Sequence, residues 1–137
     1  MGLLEEIGRR LSTQSVATTS ATSTGWRLAY RGFLPSTHDQ QVAVIATGGF
    51  QQLAEESDNP LSRPTFQVLV RGKSTGSTGL EAKVDGVISA LNLFSGTLVG
   101  RAFKDIRLEG EPLWLGRDEN QRPMYSCNFS AFRSRTT

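Results

Sequence analysis

Cysteine and histidine are almost absent from this chain. Cys127 is the only cysteine and His38 the only histidine among 137 residues. A single cysteine cannot form an intramolecular disulfide, which excludes a secreted scaffold held together by such bonds. A zinc site needs several Cys or His ligands, so we expect no metal site, and no motif for a cofactor is present.

The sequence also lacks an excess of charge and any long apolar run. The 15 basic and 13 acidic residues leave a net charge of +2, and nucleic-acid binding needs a more concentrated basic patch. No stretch approaches the roughly 18 apolar residues of a membrane span, and Glu5 and Glu6 stand where a signal peptide has its apolar core. We therefore expect no membrane partner, and a protein used in a cytoplasm or in a particle assembled there.

The length fits one domain, and composition divides the chain into three parts. Leu4, Ile7 and Leu11 recur at helical spacing and predict an amphipathic helix that packs on its own sheet, in preference to a helix that docks on a partner. The next stretch is rich in Ser and Thr and predicts an extended or mobile linker. The expected divisions are an N-terminal helix at 1–11, a linker at 12–25 and an α/β core at 26–133.

The first half of the core reads as three strands. Alternation predicts a strand at 26–30, and the apolar run at 41–47 predicts a central strand that ends at Gly48-Gly49. Residues 51–63 are charged and aperiodic, which predicts an exposed loop. The segment 64–72 follows, with Pro64 expected at the start of its strand.

The second half begins with a flexible loop at 73–79 and the apolar stripe of a helix at 80–94. Gly86 within that helix suggests close packing on the sheet. A connection with strand character at 96–105 precedes short strands at 106–108 and 112–115. A charged turn at 117–122 then joins a C-terminal hairpin whose last strand covers 124–133. The prediction is an α+β fold with the order α-β-β-β-α-β-β, a mainly antiparallel or mixed sheet and helices on one face.

Residues that suggest catalysis have simpler explanations. His38 adjoins Asp39, but neighbouring side chains do not aim at a shared substrate, so an exposed histidine is favoured. Cys127 lies on an apolar strand face, which favours a buried hydrophobe over a reactive thiol. The Gly-Lys-Ser at 72–74 is not part of a P-loop, because Gln67 occupies the position of the glycine that a P-loop requires. We therefore predict that the protein is not an enzyme.

The remaining candidates for function are basic and polar residues that are dispersed along the sequence. Each alone is a solubilising surface charge, but around a ring they would line a positive channel or face acidic partners. The candidate interface or lumen residues are Arg71, Lys73, Ser74, Thr75, Arg101 and Lys104.

The order of the motifs is similar to a known family. A short helix precedes a Phe-Leu-Pro turn at 33–35, an apolar strand that ends in Gly-Gly at 48–49, and an acidic loop. The strand Pro-x-x-Gln-Val-x-Val-Arg-Gly at 64–72 then leads to an apolar helix, and Asp-Glu-x-x-Arg at 118–122 opens the last strand. Together these resemble the tail terminator proteins of long-tailed bacteriophages, also described as minor capsid or head–tail joining proteins.

The resemblance implies a structural virion protein at the tail–neck junction, assembled in the host cytoplasm. Such a protein forms a ring, expected to be hexameric, that caps the tail tube, ends its polymerisation and joins the tail to the neck. Its partners would be other copies of itself, the tail-tube protein and a neck or head-completion protein. DNA would pass through the lumen without sequence-specific binding. The N-terminal helix and its linker would reach an adjacent subunit.

Other functions stay open at this point. The first alternative is a different connector ring, such as a head-completion or stopper protein or a tail-tube subunit. A small enzyme that uses His38 and a nucleic-acid-binding module are further alternatives.

Overall fold

The structure, a computed structural model, describes residues 2–19, 25–33, 39–51, 61–74 and 78–134, and at 49–51, 61 and 78 the backbone alone. Two helices and seven strands follow one another along the chain. They are α1 (Leu3–Thr13), β1 (Arg27–Tyr30), β2 (Gln41–Gln51), β3 (Leu61–Arg71), α2 (Thr78–Leu91), β4 (Gly96–Leu98), β5 (Arg101–Leu108), β6 (Leu113–Arg117) and β7 (Pro123–Ser134).

The strands form one mixed sheet in the order β1-β2-β3-β7-β5-β4, with β6 also paired to β7. Strands β1 and β2 are parallel, and every other pairing is antiparallel. Strands β5 and β6 lie end to end along one edge of β7, which pairs with β3 along its other edge. The predicted α+β class and element order are confirmed, and the connection at 96–105 supplies β4 and most of β5.

The core lies between the helices and one face of the sheet. Strand β3 is central in the sheet, and its Phe66, Val68 and Val70 are fully buried. Phe66 stacks on Phe129 of β7 with ring centroids 5.3 Å apart. Both helices contribute to the same buried cluster. Alternate residues of this strand therefore form its inward face.

Helix α1 packs on the sheet of its own subunit, as the sequence predicted. Its Leu4, Ile7 and Leu11 belong to the core, and buried Gly8 lets the helix approach Tyr30 of β1 closely. A Cβ on Gly8 would lie 2.7 Å from Cε1 of that ring. The apolar face of α1 is thus covered within the subunit, and contact of its exposed side with an adjacent subunit stays a prediction.

The segment predicted as a linker at 12–25 is partly built into the fold. Ser12 and Thr13 end α1, and Val16 and Ala17 are buried in the core. Thr18 forms a parallel bridge with Arg27, and Lys83 of α2 donates a hydrogen bond to the Val16 carbonyl at 2.8 Å. Residues 20–24 lie outside the described part of the chain.

Strands β2 and β3 extend further than predicted. Strand β2 does not end at Gly48-Gly49 but passes through both, with a bulge at which Gly48 has a φ of +114°. Strand β3 begins at Leu61, so part of the expected loop at 51–63 is strand and Pro64 lies inside it. The pairing of β3 with β7 is interrupted between Ser62 and Thr65, and a residue without an N–H is tolerated at such a gap. Residues 52–60 lie outside the described ranges.

Helix α2 starts earlier and ends earlier than predicted. Thr78 and Gly79 of the expected loop at 73–79 are helical, and the helix ends at Leu91 instead of continuing to Phe94. Leu93 has a φ of +65° and its N–H bonds to the Ile106 carbonyl, which turns the chain towards β4. The expectation for Gly86 is wrong, because a Cβ there would meet no atom within 4 Å.

Candidate interaction surfaces

Strand β6 exposes three consecutive apolar side chains. Leu113, Trp114 and Leu115 are 54%, 53% and 46% exposed, and we call them the β6 strip. Trp114 is held edge-on against Tyr125 of β7, with ring centroids 5.4 Å apart. Within the described residues β6 pairs only with β7, so its outer edge is open. An open apolar edge of this kind marks a protein contact or an aggregation site.

An acidic cleft lies beside this strip. It has a volume of about 290 Å³ and is lined by Glu81, Val84, Asp85, Pro112 and Tyr125. Glu81 is exposed in the first turn of α2 and Asp85 at its middle. Glu111 is also exposed and precedes β6 by two residues. The apolar strip therefore has carboxylates on its borders.

A basic cleft lies at the other end of α2. Its volume is about 430 Å³, and its walls come from α1, the turn after α2 and β4: Arg9, Arg10, Thr13, Phe94, Gly96, Thr97, Leu98 and Val99. The Arg10 guanidinium lies 4.1 Å from the centroid of the Phe94 ring and donates to the Ala90 carbonyl at 2.9 Å. Arg9 is exposed. The cleft thus joins apolar walls to positive charge.

A hydrogen-bonded charge cluster fixes one end of the sheet. Arg122 donates to Asp118 at 2.8 Å and lies 3.4 Å from Asp39. Buried Arg71 donates to the Asp39 carbonyl at 3.0 Å and lies 4.8 Å from the centroid of the Phe33 ring. Burial lowers the pKa of Arg71, and nearby Arg122 lowers it further. The β6–β7 turn and the approach to β2 are therefore tied together.

Asp118 organises the β6–β7 turn itself. It accepts hydrogen bonds from the backbone N–H groups of Asn120 and Arg122, each at 2.9 Å. Desolvation raises the pKa of this carboxyl, but the hydrogen bonds and charge of Arg122, with the Asn120 N–H, outweigh it and lower the pKa overall. Arg117 donates to the Gln121 carbonyl at 2.7 Å. The charged turn predicted at 117–122 and the hairpin it joins are both confirmed.

A second charge cluster fastens α1 to the opposite end of the sheet. Glu6 is buried, at 1% exposure, and accepts a hydrogen bond from Arg133 at 2.7 Å. Its other carboxylate oxygen lies 3.7 Å from Arg101 of β5. A buried carboxylate needs such partners, because losing them leaves an uncompensated charge. Glu6 therefore faces the sheet, although a charged residue of an amphipathic helix is expected on its polar side.

The six candidate interface residues fall into two groups. Arg71 pairs with Met124 at one end of β7, and exposed Lys73 and Ser74 follow it; Thr75 lies outside the described residues. Exposed Lys104 pairs with Phe132 near the other end, next to half-buried Arg101. Eight residues of extended strand separate these positions, about 26 Å. Arg71 and Arg101 make contacts inside the subunit, so the side chains free to meet a partner are Lys73, Ser74 and Lys104.

The residues considered for chemistry form no common site in the described part of the chain. Burial raises the pKa of the Cys127 thiol to about 11, which keeps it protonated, and His38 lies outside the described residues. In the part of the chain that the structure describes, no group of three His, Cys, Asp or Glu residues is placed to hold a metal. Nor does any described helix have the length and apolar character to cross a membrane.

Sequence reasoning missed the β6 strip and the two clefts. A signal for the strip was present: Leu113, Trp114 and Leu115 are apolar on both faces of a short strand between charged segments. A strand that is covered on one side needs only alternate apolar residues. The clefts combine residues from distant segments of the chain, so no local sequence pattern predicts them.

One comparison with known proteins identifies a family, and another finds solved structures with the same fold. The sequence model of the bacteriophage tail terminator protein family matches residues 10–132. No curated protein sequence matches at a significant level. A chain from the virion of a native gene transfer agent particle is 12% identical, with a TM-score of 0.67 over 96% of this chain and 94% of that one. Another solved chain is 15% identical, with a TM-score of 0.60 over 99% of both chains.

Likeness to solved structures at such low identity shows the fold alone. The family match is different, because it extends from the last part of α1 almost to the end of β7. This match identifies the fold of two helices and a mixed sheet as that of a structural protein of the virion tail. The chain belongs to the bacteriophage tail terminator protein family.

Proposed function

We propose that this chain forms a ring, with six copies, that caps the tail tube, stops its polymerisation and joins the tail to the neck of the head. The family match over residues 10–132 carries the proposal. A cap must fold as a stable subunit and offer separate surfaces to its neighbours and to the structures above and below it. A closed ring of identical subunits requires two different lateral surfaces on each copy.

The candidate residues lie in two groups near opposite ends of β7. This separation supports two contact surfaces on each subunit, one at each end of the ring axis. Lys73 and Ser74 are exposed beside the β6–β7 turn, and Lys104 is exposed near the far end of β7. A subunit whose strands run roughly along the ring axis would present one group to the tail tube and the other to the neck. Lys73 and Ser74, with Thr75, would then contact one partner or line the lumen, where DNA passes without sequence-specific contacts.

The function requires contacts between proteins and no chemical step. In this account the exposed candidates serve docking, and the subunits assemble with tube and neck in the host cytoplasm before they act in the virion. The structural role of the family supports this interpretation.

Tail length tests the proposal directly. In the strain that produces the particle, deletion of the coding region should leave tubes longer than the normal length and unattached to heads, because nothing ends their growth. Supplying the chain from a plasmid should restore tails of uniform length. Tails of normal length in the absence of the chain would contradict the cap.

The same electron micrographs separate the alternatives. A head-completion or stopper ring predicts tails of normal length beside heads that have lost their DNA. A tail-tube subunit predicts that no tubes form at all. Each outcome differs from the overlong, headless tubes that a missing cap should produce.

A further inference from the structure

The structure carries a self-complementary pair of surfaces, and we infer that the β6 strip of one copy occupies the basic cleft of the next copy. The inference rests on the proposed ring and names the contact that would close it. The occupant is therefore a second copy of this chain, and the cleft between α1 and β4 is its receptor.

The apolar parts of the two surfaces match in size and character. The strip offers about half of each of Leu113, Trp114 and Leu115 to a partner. The cleft has a volume of about 430 Å³ and is lined by Phe94, Leu98 and Val99 among others. An anchoring tryptophan in a pocket that contains an aromatic ring and arginines is a common centre of a protein interface. The cleft is large enough for the Trp114 indole.

Charge favours this pairing over contact between two identical surfaces. Glu111, Glu81 and Asp85 border the strip, whereas Arg9 and Arg10 line the cleft. Arg117, at the end of β6, points its guanidinium at the carbonyl oxygens of Gln121 and Ser74. Two strips placed face to face would bring carboxylates together, and two clefts would bring arginines together. Opposite signs steer the strip to the cleft.

The positions of the two surfaces make the contact head-to-tail. Glu81 lies in the first turn of α2 and Asp85 at its middle, and Phe94 follows its end by three residues. The ten residues that follow Glu81 to the end of α2 span about 15 Å, so the acidic border of the strip and the basic cleft lie on different parts of one subunit. A contact between two different surfaces repeats from copy to copy and closes when the rotation allows.

Sedimentation of the full-length chain at rising concentration tests the contact. The wild type should associate beyond its 14.9 kDa chain mass, and Trp114→Ser or Arg9→Glu should weaken association at least tenfold. The double variant Arg9→Glu/Glu111→Arg should recover most of it, because the charges are exchanged across the contact. Arg31→Glu, at another exposed arginine that does not line the cleft, should associate as the wild type does.

Mixing two defective variants distinguishes a head-to-tail contact from a symmetric one. Trp114→Ser keeps its cleft and Arg9→Glu keeps its strip, so their mixture should form a heterodimer of twice the chain mass and nothing larger. Thermal melting should show that both variants fold, and Leu113→Ser replaces Trp114→Ser if the latter does not.

Three results would overturn the inference: a wild type that stays at its chain mass at every concentration, Trp114→Ser chains that assemble normally, or a mixture that yields no heterodimer. None of these bears on the proposed cap, which is judged by tail length. Overlong tubes with a failed mixing experiment would mean that the cap exists but closes through another contact.

Discussion

Helix α1 buries its apolar side chains, whereas strand β6 exposes them. Helix α1 buries Leu4, Ile7 and Leu11, together with the carboxylate of Glu6. Strand β6 leaves the three residues of the β6 strip about half exposed, on an edge that is open among the described strands. One element completes the core of its own subunit, and the other leaves apolar surface exposed, which we propose a second copy covers. Substitutions in the two elements should therefore divide between stability and assembly.

The largest expected difference is between two leucine truncations. Leu11→Ala removes a fully buried side chain and should lower the free energy of unfolding by about 2–5 kcal/mol. Leu113→Ala removes one that is 54% exposed and should cost less than about 1 kcal/mol. Urea unfolding of the two variants measures both. Equal losses would mean that β6 belongs to the core as fully as α1 does.

The next largest effect concerns the buried carboxylate of α1. Glu6→Gln removes the charge that faces Arg133 and Arg101, at 2.7 and 3.7 Å. Because both arginines are partly exposed, the cost should be below that of a fully buried pair, at about 2–3 kcal/mol. Glu5→Gln, on the neighbouring residue, should change stability by less than about 0.5 kcal/mol. Equal effects in chemical denaturation would rule out Glu6 as the link between helix and sheet.

Alanine substitutions at two glycines should have smaller effects on stability, and the two effects should have opposite signs. A methyl group on Gly8 would collide with the Tyr30 ring, so Gly8→Ala should cost about 1–3 kcal/mol. A methyl group on Gly86 meets no atom within 4 Å, so Gly86→Ala should stabilise α2 by about 0.5–1 kcal/mol. Melting temperatures should move in opposite directions. A destabilised Gly86→Ala variant would show that this side of α2 is covered.

The smallest effect concerns the turn that holds β6. The lowered pKa of Asp118 means that its ionised form is favoured in the folded state. Its contribution is present above the ordinary carboxyl pKa of about 3.9 and is lost as the pH falls through the lower folded value. Asp118→Asn should cost less than about 1 kcal/mol at neutral pH and should reduce the loss of stability below about pH 4. Identical pH profiles of wild type and variant would contradict this role.

Local periodicity explains how much of the fold could be predicted. Strand β3 and helix α2 carry regular apolar patterns, and both were located to within a few residues because neighbouring side chains determine such patterns. Val16 and Ala17 gave no comparable signal. Lys83 donates to the Val16 carbonyl from 67 positions away, a contact that no local pattern predicts. Composition alone therefore mistook an ordered segment for a linker.

The interaction surfaces were less predictable than the fold. Arg71 and Lys104 were grouped by charge, whereas strand register places them near opposite ends of β7. Arg71 is buried, since Asp39 and Phe33 approach it from a segment more than thirty positions earlier in the chain. Apolar periodicity identifies core residues, but exposure of Trp114 depends on what covers β6, and a single sequence does not contain that partner.

Electron cryomicroscopy of the tail–neck junction in the intact particle tests the central claim most directly. The account predicts a closed ring of this chain at the head-proximal end of the tube, with the β6 strip of each copy in the basic cleft of the next. A junction built without this chain, or copies of it distributed along the tube, would contradict the account.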